Sequence, residues 1–356
     1  MQIVQHIDEF QTEDGIGNDI LGIQECLNQL GMKNFIVSRK NKSKKKIEKI
    51  QNLSQLDTSE TMHILHYGGR GYPINSFLAL QGKKVLRFHN ITPVHLYSGK
   101  VSDAMLYSIE KESSYAKMEL LQLAEGCDFF LFDSFYNLEC FSDMVPCTIT
   151  KQNSFVLPIV RKYATHKKSA NIHTHTITFI GRVVPSKNIE GLLYTLYYLQ
   201  QINPRYCLDL IGKKNVAFEK YTSYLEELIQ DLQLGSSVNW NIEITDEQVT
   251  NKLQQSDIYL SLSKHEGFCI PLLESFACGA LSFFYGITAT PETARGAGIV
   301  IAEENYEEIA ALIDICNSNY QIKNRVLEKQ YNVVKYYNSI DHGALLKSIL
   351  THIHGH

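Results

Sequence analysis

The chain has 356 residues, 44% of them apolar and 20% charged, with a formal net charge of -4. That length exceeds one ordinary core and predicts two domains. The composition excludes a disordered chain, and the slight negative charge excludes a general nucleic-acid binder. No apolar run approaches a bilayer span, and the N-terminus lacks a signal-peptide pattern. The eight cysteines are scattered with no CxxC pair, as suits reduced thiols in a cytosolic protein. A cytoplasmic enzyme is the expectation.

In chain order, residues 1–7 read as a strand and 8–18 as its loop. A helix follows with apolar positions Ile20, Leu21, Ile23, Leu27 and Leu30, stopped at Gly31. A second strand covers 35–38. The basic run over 39–49 reads as a solvated, mobile loop; the alternative is a patch meeting an anionic membrane face. Further strands are expected at 62–67, 84–88, 128–132 and 154–158, with a long helix over about 103–125. Strands alternating with helices imply a parallel sheet covered on both faces. Residues 161–174 are polar and patternless and serve as the linker, which sets the domains at 1–160 and 175–335. His173 and His175 alternate, as do His352, His354 and His356, but no carboxylate or thiol spacing completes a metal site.

A cleaner alternation follows. Strands read at 176–180, 206–211, 237–241, 257–263, 280–285 and 298–301. Helices fit at about 187–201, 217–233, 246–255, 271–278 and 305–317, which makes a second doubly wound sheet. The last helical run, about 321–350, is longer than this domain requires, and residues 336–356 are expected to pack back on the first domain.

The chemistry concentrates at the strand ends of the second domain. Lys264-His265-Glu266-Gly267-Phe268-Cys269-Ile270-Pro271-Leu272-Leu273-Glu274 follows an apolar strand, with Pro271 suited to a first helical turn and Gly279 to its stop. Such a helix start offers free N–H groups and positive dipole, an anion site. Glu266 and Glu274 beside it suit accepting hydrogen bonds from sugar hydroxyls. Gly181-Arg182-Val183-Val184-Pro185-Ser186-Lys187 ends the domain's first strand, where ligands of open α/β sheets collect; Arg182 and Lys187 can converge on a diphosphate. In the first domain, Gly15 and Gly17 sit in the first strand-to-helix loop and read equally as turn glycines or as a close approach to a ligand. His89 ends a strand, placed either to hydrogen-bond a sugar or to serve as a structural histidine.

Glu266-Gly267-Phe268-Cys269-Ile270-Pro271-Leu272-Leu273-Glu274 resembles the E-x7-E signature of family-4 retaining glycosyltransferases, as found in bacterial polysaccharide and glycolipid assembly. Gly181-Arg182 with Lys187 is similar to that family's diphosphate-binding segment, and residues 14–18 and 89–93 look like its N-terminal loops. The resemblance implies an α/β GT-B fold: two doubly wound Rossmann-like domains facing across a cleft, with a C-terminal helix crossing back to the N-terminal one. It implies transfer of a hexose from a UDP-hexose or GDP-mannose to a glycan or lipid-linked acceptor, with retained configuration. Glu274 would hold the nucleotide ribose. Glu266, Gly267, Phe268 and Cys269 would contact the donor sugar, and Arg182 and Lys187 would neutralise the departing diphosphate in place of a metal. Gly15 and Gly17 would lie against the donor and His89 against its sugar. No cofactor and no metal are implied, and the setting is cytoplasmic, peripheral at the inner face of the membrane.

Three departures bear on sugar and base preference. Cys269 stands where a second Gly is usual, Ile242 where a Gly often follows residues 238–240, and residues 280–283 lack a common Pro. The rival readings are a non-catalytic GT-B partner subunit, which would lose the charged site residues, and an epimerase or phosphorylase. Arg182, Lys187, Glu266 and Glu274 are all present.

Overall fold

The computed structural model describes residues 1–12, 14–146, 149–166, 174–242 and 244–355. Cys147, His356 and half of the expected linker, residues 167–173 with His173, lie outside the described residues. The chain divides into two compact units: Met1–Ile91, Ile109–Arg161 and Ile340–His356 form unit 1, and Thr92–Ser108 with Lys162–Ser339 form unit 2.

The sheet of unit 1 comprises β1 (Gln2–Phe10), β2 (Lys33–Asn41), β3 (Glu48–Lys49), β4 (Thr61–Tyr67), β5 (Lys83–Phe88), β6 (Phe129–Phe132) and β7 (Ser154–Val156). Helices α1 (Gly15–Gln29), α2 (Ile74–Leu78), α3 (Asp103–Gly126) and α4 (Phe135–Met144) connect them. The described strands are all parallel, in the order β3-β2-β1-β4-β5-β6-β7. Strand side chains alternate between two cores, as a period of two requires. Val4, Leu65, Leu86, Phe88, Phe130 and Phe132 pack with Leu120, Leu123 and Phe141 on one face. Ile3, Met62, Ile64, Val85, Phe129 and Leu131 pack with Ile23 and Leu27 on the other.

Unit 2 runs β8 (Thr176–Ile180), α5 (Ile189–Ile202), β9 (Cys207–Ile211), α6 (Glu219–Asp231), β10 (Val238–Asn241), α7 (Asp246–Gln255) and β11 (Ile258–Ser261). It continues with α8 (Ile270–Ala277), β12 (Leu281–Tyr285), α9 (Thr290–Ala294), β13 (Ile299–Ile301), α10 (Tyr306–Ser318) and α11 (Tyr320–Ser339). The described strands are again parallel, ordered β10-β9-β8-β11-β12-β13. Buried Gln330 of α11 donates to the Ala280 carbonyl at 2.7 Å and accepts from the Ser282 amide at 3.1 Å, which ties α11 to β12.

Two expectations need correction, and one helix was not expected. The single run over 321–350 is two helices. Asp341 accepts the Ala344 amide at 2.8 Å and so begins a new helix, α12 (His342–Gly355), which belongs to unit 1 and buries Leu346, Ile349, Leu350 and Ile353 in its core. The basic run is not wholly a loop, because β1 and β2 both extend beyond their apolar segments. Their register sets Glu9 opposite Lys40, and ion pairs join Arg39 to Asp8 at 2.5 Å and Lys42 to Glu9 at 2.6 Å. Opposite charges thus carry the ladder past the hydrophobic residues; Lys44, Lys45 and Lys46 remain exposed. Residues 135–144, to which no element was assigned, form α4, started by the Ser134 side chain accepting the Asn137 amide at 3.1 Å.

Between β1 and β4 lies a buried chain of polar groups. Tyr72 OH meets His6 Nδ1 at 2.6 Å, His6 Nε2 meets His63 Nδ1 at 2.9 Å, and His63 Nε2 meets Asp57 Oδ1 at 3.1 Å. Asp57 also accepts the Gln81 amide. Its carboxylate accepting at one end and the phenol donating at the other give every hydrogen bond one proton with both rings neutral. Burial, chiefly, lowers the pKa of His6, His63 and His66 below the ordinary imidazole value. The unfolded chain therefore binds more protons below about pH 6.5, so these groups make stability rise with pH through that region. The urea midpoint should fall on going from about pH 7 to about pH 5; an unchanged midpoint would contradict their burial as neutral rings.

Candidate active site

The strand order of unit 2 reverses between β8 and β11, since β9 and β10 lie on one side and β12 and β13 on the other. At such a reversal the two following loops diverge and leave a crevice at the carboxyl ends of the strands. Both candidate motifs lie there. The loop after β8 enters a 3₁₀ turn at Pro185–Lys187, and Asn188 with φ 50° turns the chain into α5. The loop after β11 holds residues 262–269. A backbone hydrogen bond from the Lys264 amide to the Ser186 carbonyl, 2.8 Å, ties the two together.

The side chains meet as well. Lys187 Nζ lies 2.5 Å from Glu266 Oε1, both half-buried, across 79 positions of sequence. The Glu266 amide donates to Thr288 Oγ1 at 3.2 Å, and its carbonyl accepts the Ala289 amide at 3.3 Å. Arg182 is exposed, and its guanidinium makes no hydrogen bond or ion pair with any described residue. Around this pair stand further ones: Lys264 with Glu304 at 2.9 Å, and Lys100 with Glu190, which also accepts from the Tyr221 hydroxyl. His265 is buried beside them. Burial pushes its pKa down to about 4, opposed by Glu266 and helped by Lys187 and His95, so it is a neutral ring at pH 7.

Cys269 precedes α8 with φ 69° and ψ 63°, the left-handed region that favours glycine. Here lies the physical reason for a glycine at this place in the signature, and Cys269 occupies it at the cost of strain. Its thiol is buried and pushed above its ordinary pKa, first by burial and then by Glu266, which removes it as a thiolate nucleophile. Phe268 is buried edge-on against Tyr337, ring centroids 5.9 Å apart, and its carbonyl accepts from Thr293 Oγ1. Gly267 is half-buried in the same loop. Pro271 lies in the first turn of α8, and Glu274, half-buried, lies one turn on. Arg182, Lys187, Glu266, Gly267, Phe268, Cys269 and Glu274 therefore belong to two adjoining loops and the helix that leaves one of them.

Gly15, Gly17 and His89 lie in unit 1. Gly15 is exposed at the start of α1, and Asp14 caps that helix by accepting the Gly17 amide at 2.6 Å. A Cβ on Gly17 would lie 1.7 Å from the Gln11 carbonyl oxygen, so this glycine is required by backbone packing whatever binds nearby. His89 follows β5 with its side chain 4% exposed, and both ring nitrogens are engaged: Nδ1 with Asp133 Oδ2 at 2.8 Å and Nε2 with His66 Nδ1 at 3.0 Å. Asp133 in turn faces Arg87, whose guanidinium donates to both oxygens of Asp19. This buried group was missed in the sequence. Its available signal was Arg87, a charge inside an apolar strand, which demands a partner.

Among the described residues one set of three, Asp19, His66 and His89, has donor atoms close enough for a metal ion. Arg87 Nε and Nη2 lie 2.5 and 2.9 Å from the Asp19 oxygens, and the Val160 amide adds a third donor at 3.0 Å. A carboxylate so occupied, beside a guanidinium, does not suit a cation.

The two sheets are those of the GT-B glycosyltransferases. Sucrose-phosphate synthase from Thermosynechococcus elongatus matches over 98% of both chains with a TM-score of 0.74 at 13% identity. Residues 163–333 match the family model for glycosyl transferases group 1, and this stretch is a domain of that group. The O-antigen chain mannosyltransferase B of Escherichia coli is 26% identical over 181 residues, 49% of this chain and 43% of that one. The GDP-mannose:cellobiosyl-diphosphopolyprenol alpha-mannosyltransferase of Xanthomonas oryzae pv. oryzae is 27% identical over 156 residues, 42% of this chain and 39% of that one. The match thus spans less than half the length of either relative.

The left-handed backbone at Cys269 sets a stability order. Cys269→Val should destabilise by about 1–2 kcal/mol more than Cys269→Ala, because a β-branched residue is strongly excluded from that region. Equal losses in urea unfolding would place position 269 outside it.

Proposed function

We propose that the chain is a retaining glycosyltransferase that moves a hexose from a nucleotide diphosphate sugar to a glycan or lipid-linked acceptor. The observation that carries this is the meeting of Lys187 and Glu266 at the β8/β11 reversal, where a cation for a phosphate and a carboxylate for a sugar stand side by side. The group 1 domain over 163–333 supports the donor chemistry, and the two mannosyltransferase relatives support GDP-mannose as the donor to test first, ahead of UDP-hexoses.

The roles follow from the side chains. Arg182 and Lys187 take the departing diphosphate, the first as a planar fork and the second as a point charge. The start of α8 adds its dipole to the same anion. Glu274 accepts from the ribose hydroxyls, and Glu266 with the backbone over 267–269 orients the sugar. With two cations to neutralise the leaving group, no metal ion enters this scheme. Substitution on one face of the sugar, without a covalent glycosyl-enzyme, accounts for retention.

Purified protein is first screened by thermal shift against GDP, UDP, ADP and their sugar conjugates without added metal; a clear rise with one base names the donor. Absence of any shift at millimolar concentration would sink the donor assignment. Glu274→Ala should weaken nucleotide binding by about ten- to a hundredfold, as loss of a charged hydrogen bond does. Arg182→Ala and Lys187→Ala should lower kcat on the order of 10²–10³-fold with the fold intact. EDTA should leave turnover unchanged; loss restored by added metal would reject the two-cation scheme.

A further inference from the structure

The protons around His89 can be counted. Gln5 donates through Nε2 to the Ile20 carbonyl at 3.1 Å, which turns its Oε1 toward His66 Nε2 at 3.0 Å. The opposite amide orientation would set two oxygens against each other. An amide oxygen only accepts, so His66 Nε2 carries a proton. At the far end, His89 Nδ1 lies 2.8 Å from Asp133 Oδ2, and the other oxygen of that carboxylate faces Arg87 Nη2 at 3.1 Å. The guanidinium keeps Asp133 a carboxylate, which only accepts, so His89 Nδ1 carries a proton too. Between the rings, His66 Nδ1 and His89 Nε2 are 3.0 Å apart, and a hydrogen bond there needs one more. Two rings thus share three protons, where two neutral imidazoles supply two.

The other buried histidine pair shows the contrast. From Tyr72 through His6 and His63 to Asp57, the same count closes with both rings neutral, because the phenol supplies a donor where His66 meets only the Gln5 oxygen. Charge neutrality points the same way. The buried groups here are Asp19 from α1 and Asp133 after β6, against Arg87 from β5 and the two rings from β4 and β5. One extra proton makes two anions face two cations. Burial and the charge of His89, then of Arg87, disfavour a proton on His66. The carboxylate in hydrogen-bond contact, Asp133, is on the His89 side, while Asp19 Oδ2 stands 3.8 Å from His66 Nδ1 and is already held by Arg87.

We propose that the His66–His89 pair holds one excess proton, carried by His89, and that Asp133 and His66 are the positioning residues that keep this buried cation at the end of β5. Both ring nitrogens being committed, His89 acts on a ligand through its charge rather than by donating an N–H to it. On the glycosyltransferase reading, on which this consequence rests, a fixed positive charge at the carboxyl edge of the first sheet favours an anionic group of a ligand over a neutral one.

The test is histidine ring ¹⁵N NMR on the full chain, with the resonances identified by comparison with His89→Gln. At neutral pH one ring should show both nitrogens protonated, and Asp133→Asn should abolish that signature. A His89 ring with one bare nitrogen in the wild-type protein overturns the proposal, as does a stoichiometric metal ion found on these rings by elemental analysis. Turnover supplies the second arm. In Asp133→Asn, kcat should fall on the order of 10²-fold, with the loss growing as pH rises from about 6 to about 8, and Asp133→Glu should restore most of it. A loss uniform in pH would mark Asp133 as merely structural and overturn its positioning role. A doubly protonated His89 in a chain that turns over no nucleotide sugar would leave the proton assignment standing and remove only the functional reading.

Discussion

The site depends on one topological constraint, the reversal of strand order between β8 and β11. Adjacent parallel strands must send their following loops to the same edge, and a reversal sends the helices beyond them to opposite faces. The chain therefore has a place where two loops distant in sequence lie side by side with nothing crossing between them. The Lys264 amide to Ser186 carbonyl bond closes the backs of the loops. Lys187 and Glu266 close the front. Leu192, Leu196, Leu208, Leu210, Ile258 and Leu260, in the core behind them, hold the strands that fix this spacing.

Unit 1 uses the same reversal between β1 and β4, yet fills its interior there with polar groups. Arg87 is fully buried and binds Asp19 of α1, Asp133 after β6 and the Leu157 carbonyl after β7. Removing one member of such a group leaves a buried charge uncompensated, typically a loss of about 3–5 kcal/mol. Charge pairing thus fixes how α1 sits on the sheet, a job that apolar packing does elsewhere in the unit. Directional bonds specify a single arrangement where methyl groups would accept several.

The α/β alternation was legible because buried parallel strands are short apolar runs and the helices between them carry a 3.6 period. The predicted strand over 176–180 and helix over 246–255 coincide with β8 and α7. What escaped was written in polar residues. The ends of β1 and β2 are carried by Asp8, Glu9, Arg39 and Lys40, and nothing local says that acidic and basic tails will align in register. Residues 135–144 bury only Asn137 and Phe141, too few to show a period. The break before α12 rests on a single aspartate cap. The candidate site of unit 2 was legible in residue types and not in geometry: Lys187 and Glu266 were each singled out from their own loops, but their contact is a product of strand order. His89 could be placed at a strand end, whereas its partners, His66 of β4 and Asp133 after β6, carry no sequence signal of pairing.

On the proposed function, the Lys187–Glu266 contact also makes the crevice selective in a way its residue list does not convey. Each side chain already satisfies the other, so a visitor must replace both halves of the bond or leave one charge stranded in a half-buried place. Inorganic phosphate can claim the lysine but repels the carboxylate. A free sugar can occupy the carboxylate but offers the lysine no counter-charge. Only a molecule carrying an anion and a hydroxyl-rich ring at the right separation exchanges one complete set of partners for another. On that reading the ion pair behaves as a two-key latch, answering most fully to the whole ligand.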